Sequence, residues 1–184
     1  VIDLDGDGIE YLSLENDITF TSVDSGEIYR TAWVGPTDGI LGIDTDNSGS
    51  INLNKEYIFT EWSDDATTDM EALLEVFDTN NSGTLDAGDS EWGRFGIWID
   101  SDTDGFSDPG EFTQLEDLGI IEISLEYESV EDKIWSPYED VLIHGETLVT
   151  FENGRSVIAE EKSQAGRLDC CSNGIVNILF GRSV

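Results

Sequence analysis

The 184-residue chain predicts an α+β fold in which short helices frame acidic loops and pack with small antiparallel sheets. Three observations carry that expectation. An acidic twelve-residue pattern appears four times, one stretch between two of its copies has helical apolar spacing, and period-two alternation appears toward both ends.

The most complete copy is residues 100–111, DSDTDGFSDPGE. Asp100, Asp102 and Asp104 alternate, Gly105 turns the chain at the sixth position, Phe106 offers a carbonyl at the seventh, Asp108 holds the ninth and Glu111 closes at the twelfth. That is the ligand order of an EF-hand calcium loop. A hard cation of this size takes about six to eight oxygens, which a tight loop supplies by converging alternate carboxylates while a longer glutamate reaches back. Asp, Ser, Gly and Pro also form ordinary surface turns, and repetition is what argues against that reading. Residues 78–89 place Asp78, Asn80 and Ser82 at the first, third and fifth positions, then Gly83, the Thr84 carbonyl, apolar Leu85, Asp86 and a closing Asp89. The shorter arm of Asp89 implies weaker calcium binding. Residues 44–56 give Asp44, Asp46, Ser48, Gly49 and the Ser50 carbonyl, with Lys55 at the twelfth position, so Glu56 closes one residue late. At the N-terminus Asp3, Asp5 and Asp7 alternate before Gly8, with Leu14 at the twelfth position. The expected fold is therefore one of short helices around EF-hand-like loops, and the expected cofactor is several calcium ions.

Composition agrees. Forty-one acidic against 8 basic residues leave a formal charge of -33, a poor match for nucleic acid or an anionic membrane. Carboxylates crowded into the loops repel one another without a cation, so folding and calcium binding should be coupled. With 38% hydrophobic residues, five Trp, five Tyr and eight Phe, the chain can bury a core and is not an acidic disordered tail. No apolar run approaches the roughly 20 residues that span a bilayer, and no charged leader opens the chain. The adjacent Cys170 and Cys171 make neither a disulfide framework nor a zinc site and read as free thiols. Weak calcium loops suit a medium that holds millimolar calcium.

In chain order, YLSL, ITF, EIYRTAWV and GILGI read as strands of a small sheet. Residues 55–62 read as a short helix and 63–68 as a polar linker. Met70, Leu73, Leu74 and Phe77 fall at i, i+3, i+4 and i+7, a helix entering the loop at Asp78 with Thr68 or Asp69 as its cap. Residues 90–99 have room for one helical turn and the strand FGIWI. Phe112, Leu115 and Leu118 predict a helix stopped by Gly119. Ile121, Ile123, Leu125 and Tyr127 alternate with polar residues as a half-buried strand, and residues 141–151 and 155–159 flank the hairpin signal Asn153-Gly154. Residues 1–161 thus read as a single calcium-dependent module: N-terminal strands and a loop (1–43), EF-hand-like loops and helices (44–119) and a C-terminal sheet (120–161). Residues 162–184 read as a tail, flexible or foreign to the natural chain, carrying one last strand over 175–180.

The ordered set VIDLDGDGIE, TAWVGPTDGILGIDTDNSGSI, EALLEVFDTNNSGTLDAGD and IWIDSDTDGFSDPGEFTQLEDLGI resembles the FrpC-type self-processing module of secreted repeat-in-toxin (RTX) proteins. The resemblance covers residues 1–128 well and the hairpin at 147–160 loosely. It places the first and last ligands of the two best loops on Asp78, Asp89, Asp100 and Glu111. It implies a bacterial protein that is secreted or at the cell surface, exported by type I secretion. Calcium would fold the module, which would then cleave an Asp-Pro bond just upstream of itself. The freed aspartate could be joined to a lysine amine, here Lys55, Lys133, Lys162 or one on a partner protein, as an isopeptide. The scissile Asp-Pro would precede Val1, so no catalytic residue can be named within the chain. Asp108-Pro109 lies inside a loop and reads as a turn. The family's further acidic run after Phe20 has decayed to TSVDSGE, which keeps Asp24 and Gly26, and the glycine-rich RTX nonapeptides are absent.

Other readings are weaker. The single histidine, His144, has no nucleophile motif beside it. Carboxylate pairs drawn from so many acids carry no information, and widely spaced tryptophans are core residues by default. A single Met argues against a calmodulin-like groove. Two functions remain: single-turnover self-processing, or a non-enzymatic calcium-rigidified module of a large secreted adhesin or toxin.

Overall fold

A computed structural model describes residues 1–21, 28–126, 128–168 and 176–178 of the protein. The remnant acidic run at 22–27, Tyr127, Cys170 and Cys171, and most of the expected last strand outside 176–178 lie outside the described residues.

The α+β expectation is overturned: the described residues are mostly β, arranged in three antiparallel sheets with one short α-helix and a few single helical turns. A two-stranded sheet pairs β1 (Tyr11–Leu12) with β4 (Trp33–Val34). The largest sheet runs in the order β2 (Thr19–Thr21), β3 (Ile28–Thr31), β12 (Ser156–Leu168), β11 (Val141–Phe151), β9 (Ile120–Ser124) and β6 (Thr84–Asp86). In it β10 (Glu128–Trp135) also pairs with β11, and β13 (Val176–Ile178) with β12. The third sheet is β5 (Ile40–Ile43), β7 (Phe95–Trp98) and β8 (Phe112–Gln114).

The sequence explains these strands. Along β11 the buried residues Val141, Ile143, Gly145, Thr147 and Val149 fall at every second position, as on a sheet with one covered face. β11 and β12 form a hairpin across Asn153-Gly154, where Gly154 takes φ +80°. In contrast β7 is buried at every position, the uninterrupted apolar run of a central strand paired on both edges.

Two expected helices are absent, for identifiable reasons. Phe112 lies in β8, and only one helical turn follows, closed by Leu118 N–H to Gln114 C=O (3.2 Å) and ended by Gly119 at φ +70°. The three-residue spacing of Phe112, Leu115 and Leu118 is therefore a strand followed by a turn. Residues 55–62 form two short 3₁₀ turns, Asn54–Glu56 and Phe59–Trp62.

The helix before Asp78 does form. Thr68 Oγ1 accepts the Glu71 N–H (3.1 Å) and Glu71 Oε2 accepts the Thr68 N–H (3.3 Å), a capping box that starts α1 (Asp69–Ala72). It widens into a π-helical stretch (Leu73–Phe77), where Asp78 N–H reaches back to Leu73 C=O (3.1 Å). The widened turn keeps Leu73 and Phe77 buried but leaves Leu74, expected on the same face, 47% exposed.

Phe77 meets Phe59 and Phe95 edge-on at 6.0 and 5.2 Å in the main apolar cluster. A second cluster centres on Trp33 and Trp98, 5.4 Å apart at 69°. Among the described residues no helix is long and apolar enough to cross a membrane.

A Cβ on Gly96 would stand 2.5 Å from both the Phe112 ring and the Thr113 carbonyl oxygen, so β8 can lie against β7 only while residue 96 is glycine. Gly96→Ala should therefore cost about 1–3 kcal/mol of stability, read from denaturant midpoints. Gly93→Ala, where nothing lies within 4 Å, is the matched control.

Candidate metal centres

Loop 100–111 joins β7 to β8, so the acidic pattern sits in a β-hairpin where helices were expected. Asp100 is fully buried. Its Oδ1 accepts the Asp104 N–H (3.1 Å), and its Oδ2 accepts the Gly105 N–H (2.8 Å) and the Trp33 indole N–H (2.6 Å). Glu111 closes the loop, with Oε1 accepting the N–H and hydroxyl of Ser101 (2.8 and 2.9 Å) and Oε2 accepting the Asp108 N–H (3.1 Å). Burial pushes the Asp100 carboxyl up, and the surrounding donors offset this only in part. At Glu111 burial is outweighed by the N–H groups of Asp108 and Ser101, which hold the carboxyl below its ordinary value.

The other loops repeat this wiring. The opening aspartate accepts the N–H of the sixth residue in every copy: Gly83 to Asp78 and Gly49 to Asp44 (both 2.9 Å), and Gly8 to Asp3 (3.2 Å). The closing carboxylate ties the second residue to the ninth. Asp89 accepts from Thr79 N–H (2.8 Å) and Asp86 N–H (2.9 Å). Glu56, fully buried, accepts from Thr45 N–H and Asn52 N–H (both 2.9 Å), so its one-residue delay leaves the same two positions joined. Inside the loops Asn80 and Asp46 accept the N–H of Ser82 and Ser48 (2.8 and 3.0 Å). The Ser82 and Ser48 hydroxyls donate to the carbonyls of Thr84 and Ser50 (both 3.0 Å).

Carboxylate oxygens converge within 4.8 Å of one another in four groups among the described residues: Asp100, Asp102 and Glu111; Asp102, Asp104 and Asp108; Asp44, Asp46 and Glu56; and Asp3, Asp5 and Asp38. These clusters could hold a metal ion, and an all-oxygen donor set selects a hard one. Phe106 is 52% exposed, and its N–H donates to Asp104 Oδ1 (2.8 Å). Loop 78–89 gathers fewer carboxylates because Asn80 and Ser82 are neutral. Asp7 is exposed and donates its N–H to Asp5 Oδ1 (3.3 Å).

Two features escaped the sequence reading. The fourth residue of each loop is left-handed, at Asn47, Asn81 and Thr103 (φ +58°, +58° and +59°) and at Gly6 (φ +88°). Asparagine's tolerance of that conformation was an available signal, whereas threonine gives none. Asp38 was also missed, because its only local mark is a Thr-Asp-Gly turn.

A cavity of about 120 Å³ opens beside Val1, lined by apolar Ile2, Phe59 and Leu73 and edged by Asp69, Glu161 and Lys162. Burial raises Glu161 to about 7 and Asp69 to about 6, and lowers Lys162 to about 7. Lys162 Nζ lies 5.0 Å over the Tyr11 ring, and the Tyr11 hydroxyl donates to Glu160.

The fold and its loops define a class: an acidic β-sheet protein whose strand-borne loops could hold hard metal ions. The chain belongs to the SPM domain family, which matches residues 1–161. It is also 33% identical over 135 residues to the iron-regulated protein FrpA of Neisseria meningitidis serogroup C, an alignment covering 70% of this chain and 12% of that protein.

Two outcomes follow. Thr103→Asn should gain roughly 1 kcal/mol by relieving a β-branched residue at positive φ, measured by urea denaturation. The second concerns Glu161, whose folded value exceeds its ordinary 4.5. Its contribution is complete below about pH 4.5 and is lost as the pH rises through about 7. Glu161→Gln should therefore gain stability relative to the parent chain between pH 5 and pH 8, read from unfolding midpoints at fixed calcium.

Proposed function

We propose that this chain is a calcium-binding module of a secreted RTX-type protein, which on calcium-induced folding promotes cleavage of an Asp-Pro bond upstream of Val1. The observation that carries the reading is the shared wiring of the loops, an opening aspartate on the sixth amide and a closing carboxylate spanning the second and ninth, which in two of them gathers carboxylate oxygens within 4.8 Å of one another, the oxygen-rich donor set that calcium takes. Membership of the SPM domain family supports it.

Four sites would hold the ions. Asp100, Asp102, Asp104, the Phe106 carbonyl, Asp108 and Glu111 serve one. Asp78, Asn80, Ser82, the Thr84 carbonyl, Asp86 and Asp89 serve a second. Asp44, Asp46, Ser48, the Ser50 carbonyl and Glu56 serve a third, and the N-terminal acids around Asp3 and Asp5 a further one. Calcium supplies neutralisation of the converging carboxylates, so that the strands they join can close.

For the processing step, an upstream aspartate carboxylate attacks its own carbonyl carbon, the C–N bond to proline breaks, and the proline nitrogen takes a proton. The cyclic anhydride left behind acylates water or an amine. The cavity beside Val1 suits this chemistry. Val1 pairs with Glu160 through two 2.8 Å backbone bonds, so in a parent chain that continues upstream the preceding residues would start beside Glu161, Asp69 and Lys162. A carboxyl raised to about 7 can give the departing nitrogen its proton. An amine lowered to about 7 is partly neutral and nucleophilic, which favours Lys162 as the acceptor over Lys55, an exposed residue 5.7 Å over the Trp62 ring.

Intact-mass measurement of the chain extended by its native upstream residues, with and without millimolar calcium, tests the reading. The expected result is calcium-dependent separation of the upstream fragment from the module and then, because their isopeptide product has the mass of the uncut chain, a branched Asp-Lys peptide on proteolytic digestion that Lys162→Arg abolishes. A chain that folds with calcium yet yields neither a free fragment nor a branched peptide would leave a calcium-rigidified structural module as the function.

A further inference from the structure

Asp38 lies in the turn after β4, 35 residues from Asp3 in sequence, and is completely buried. Its Oδ2 accepts the Glu10 N–H (2.7 Å), whereas its Oδ1, equally buried, meets no hydrogen-bond donor. The oxygens of Asp38, Asp3 and Asp5 lie within 4.8 Å of one another. A buried carboxylate oxygen without a donor is unfavourable, and two more carboxylates beside it make it worse. A cation answers all three.

The backbone holds this arrangement. Ile2 N–H donates to Gly39 C=O (2.8 Å) and Gly39 N–H to Ile2 C=O (3.1 Å), while Asp3 N–H donates to Ile158 C=O (3.0 Å). A Cβ on Gly39 would lie 2.0 Å from Ile97 Cγ2, so the turn is seated directly on the central strand β7.

We propose that Asp38 completes a calcium site with Asp3 and Asp5, a site built from two distant segments and closed only in the folded chain. The inference rests on the calcium reading above and goes beyond it in the ligand set and in the order of filling. The other three loops carry their ligands within at most thirteen consecutive residues, so each can gather an ion locally. The site at Asp38 forms only after the N-terminal segment has docked between the 36–39 turn and β12. Its ion therefore reports, and locks, the position of Val1.

Native mass spectrometry at saturating calcium counts the ions. Asp38→Asn and Asp5→Asn should each hold one ion fewer than the parent chain, and the double variant also one fewer, because the two residues share an ion. Glu15→Gln, an exposed acid outside the clusters, should keep the parent count. A full count in Asp38→Asn overturns the proposal, as does a loss of two ions in the double variant, or an ion lost from Asp7→Asn but not from Asp38→Asn. Should Asp38→Asn lose its near-UV circular dichroism, the exposed Asp5 decides: a full count in Asp5→Asn overturns the site. A parent chain that takes up no calcium overturns the broader reading and this one together, whereas the outcomes above separate them.

Discussion

One buried carboxylate joins the acidic loops to the apolar core. Asp100 has no exposed surface, and its oxygens are satisfied by two loop amides and the Trp33 indole. A charge so placed is tolerable only while every donor stays put or a cation stands beside it. Trp33 packs edge-on against Trp98, and Trp98 ends the strand that leads into the same loop. The geometry of the second apolar cluster and the geometry of the loop are therefore one problem with one solution. Disturbing either strands a charge.

The loops were legible in the sequence because their wiring is local. An opening aspartate on the sixth amide and a closing carboxylate on the second and ninth need only twelve or thirteen residues, whatever flanks them. What brings the two ends together is a separate matter, and an antiparallel ladder such as β7 with β8 does it as well as two helices. That is why the acidic loops were readable while the helical frame expected around them was not. The apolar spacing of Phe112, Leu115 and Leu118 was real but belonged to a strand and a single turn closed at Gly119. Thr103 had no signature because a β-branched residue at positive φ runs against its own propensity. Asp38 had none because its meaning depends on tertiary contact with Asp3 and Asp5.

The loops also touch one another. Ile51 N–H donates to Ser107 Oγ (3.0 Å), linking loop 44–56 to loop 100–111. Arg94 donates to the Asp44 carbonyl through Nε (3.1 Å), and Asp44 N–H returns a bond to the Arg94 carbonyl (3.0 Å). Leu125 N–H donates to Gly83 C=O (3.0 Å), fixing loop 78–89 to the residue that follows β9. A cation bound in loop 44–56 or loop 100–111 would thereby favour the geometry of the other. At a formal charge of -33 the cation-free chain meets strong self-repulsion, and on the proposed calcium reading such coupling would make its relief cooperative.

The same connectivity sets the order in which the N-terminal segment can be positioned. β7 must be seated before Gly39 can pack on Ile97, and Gly39 must be seated before Ile2 can bridge it. Only then does Val1 meet Glu160 on β12, the strand that also carries Glu161 and Lys162 beside the cavity. Because β7 runs straight into loop 100–111, the first link in that chain would, on the proposed calcium reading, itself be a cation-dependent one. Chemistry at a bond preceding Val1 would thus be the last event of folding: the groups that would act on it come together only when every earlier contact is in place. On that reading a module wired this way would need no separate inhibitor in a low-calcium compartment, since without the ion the site would stay unassembled.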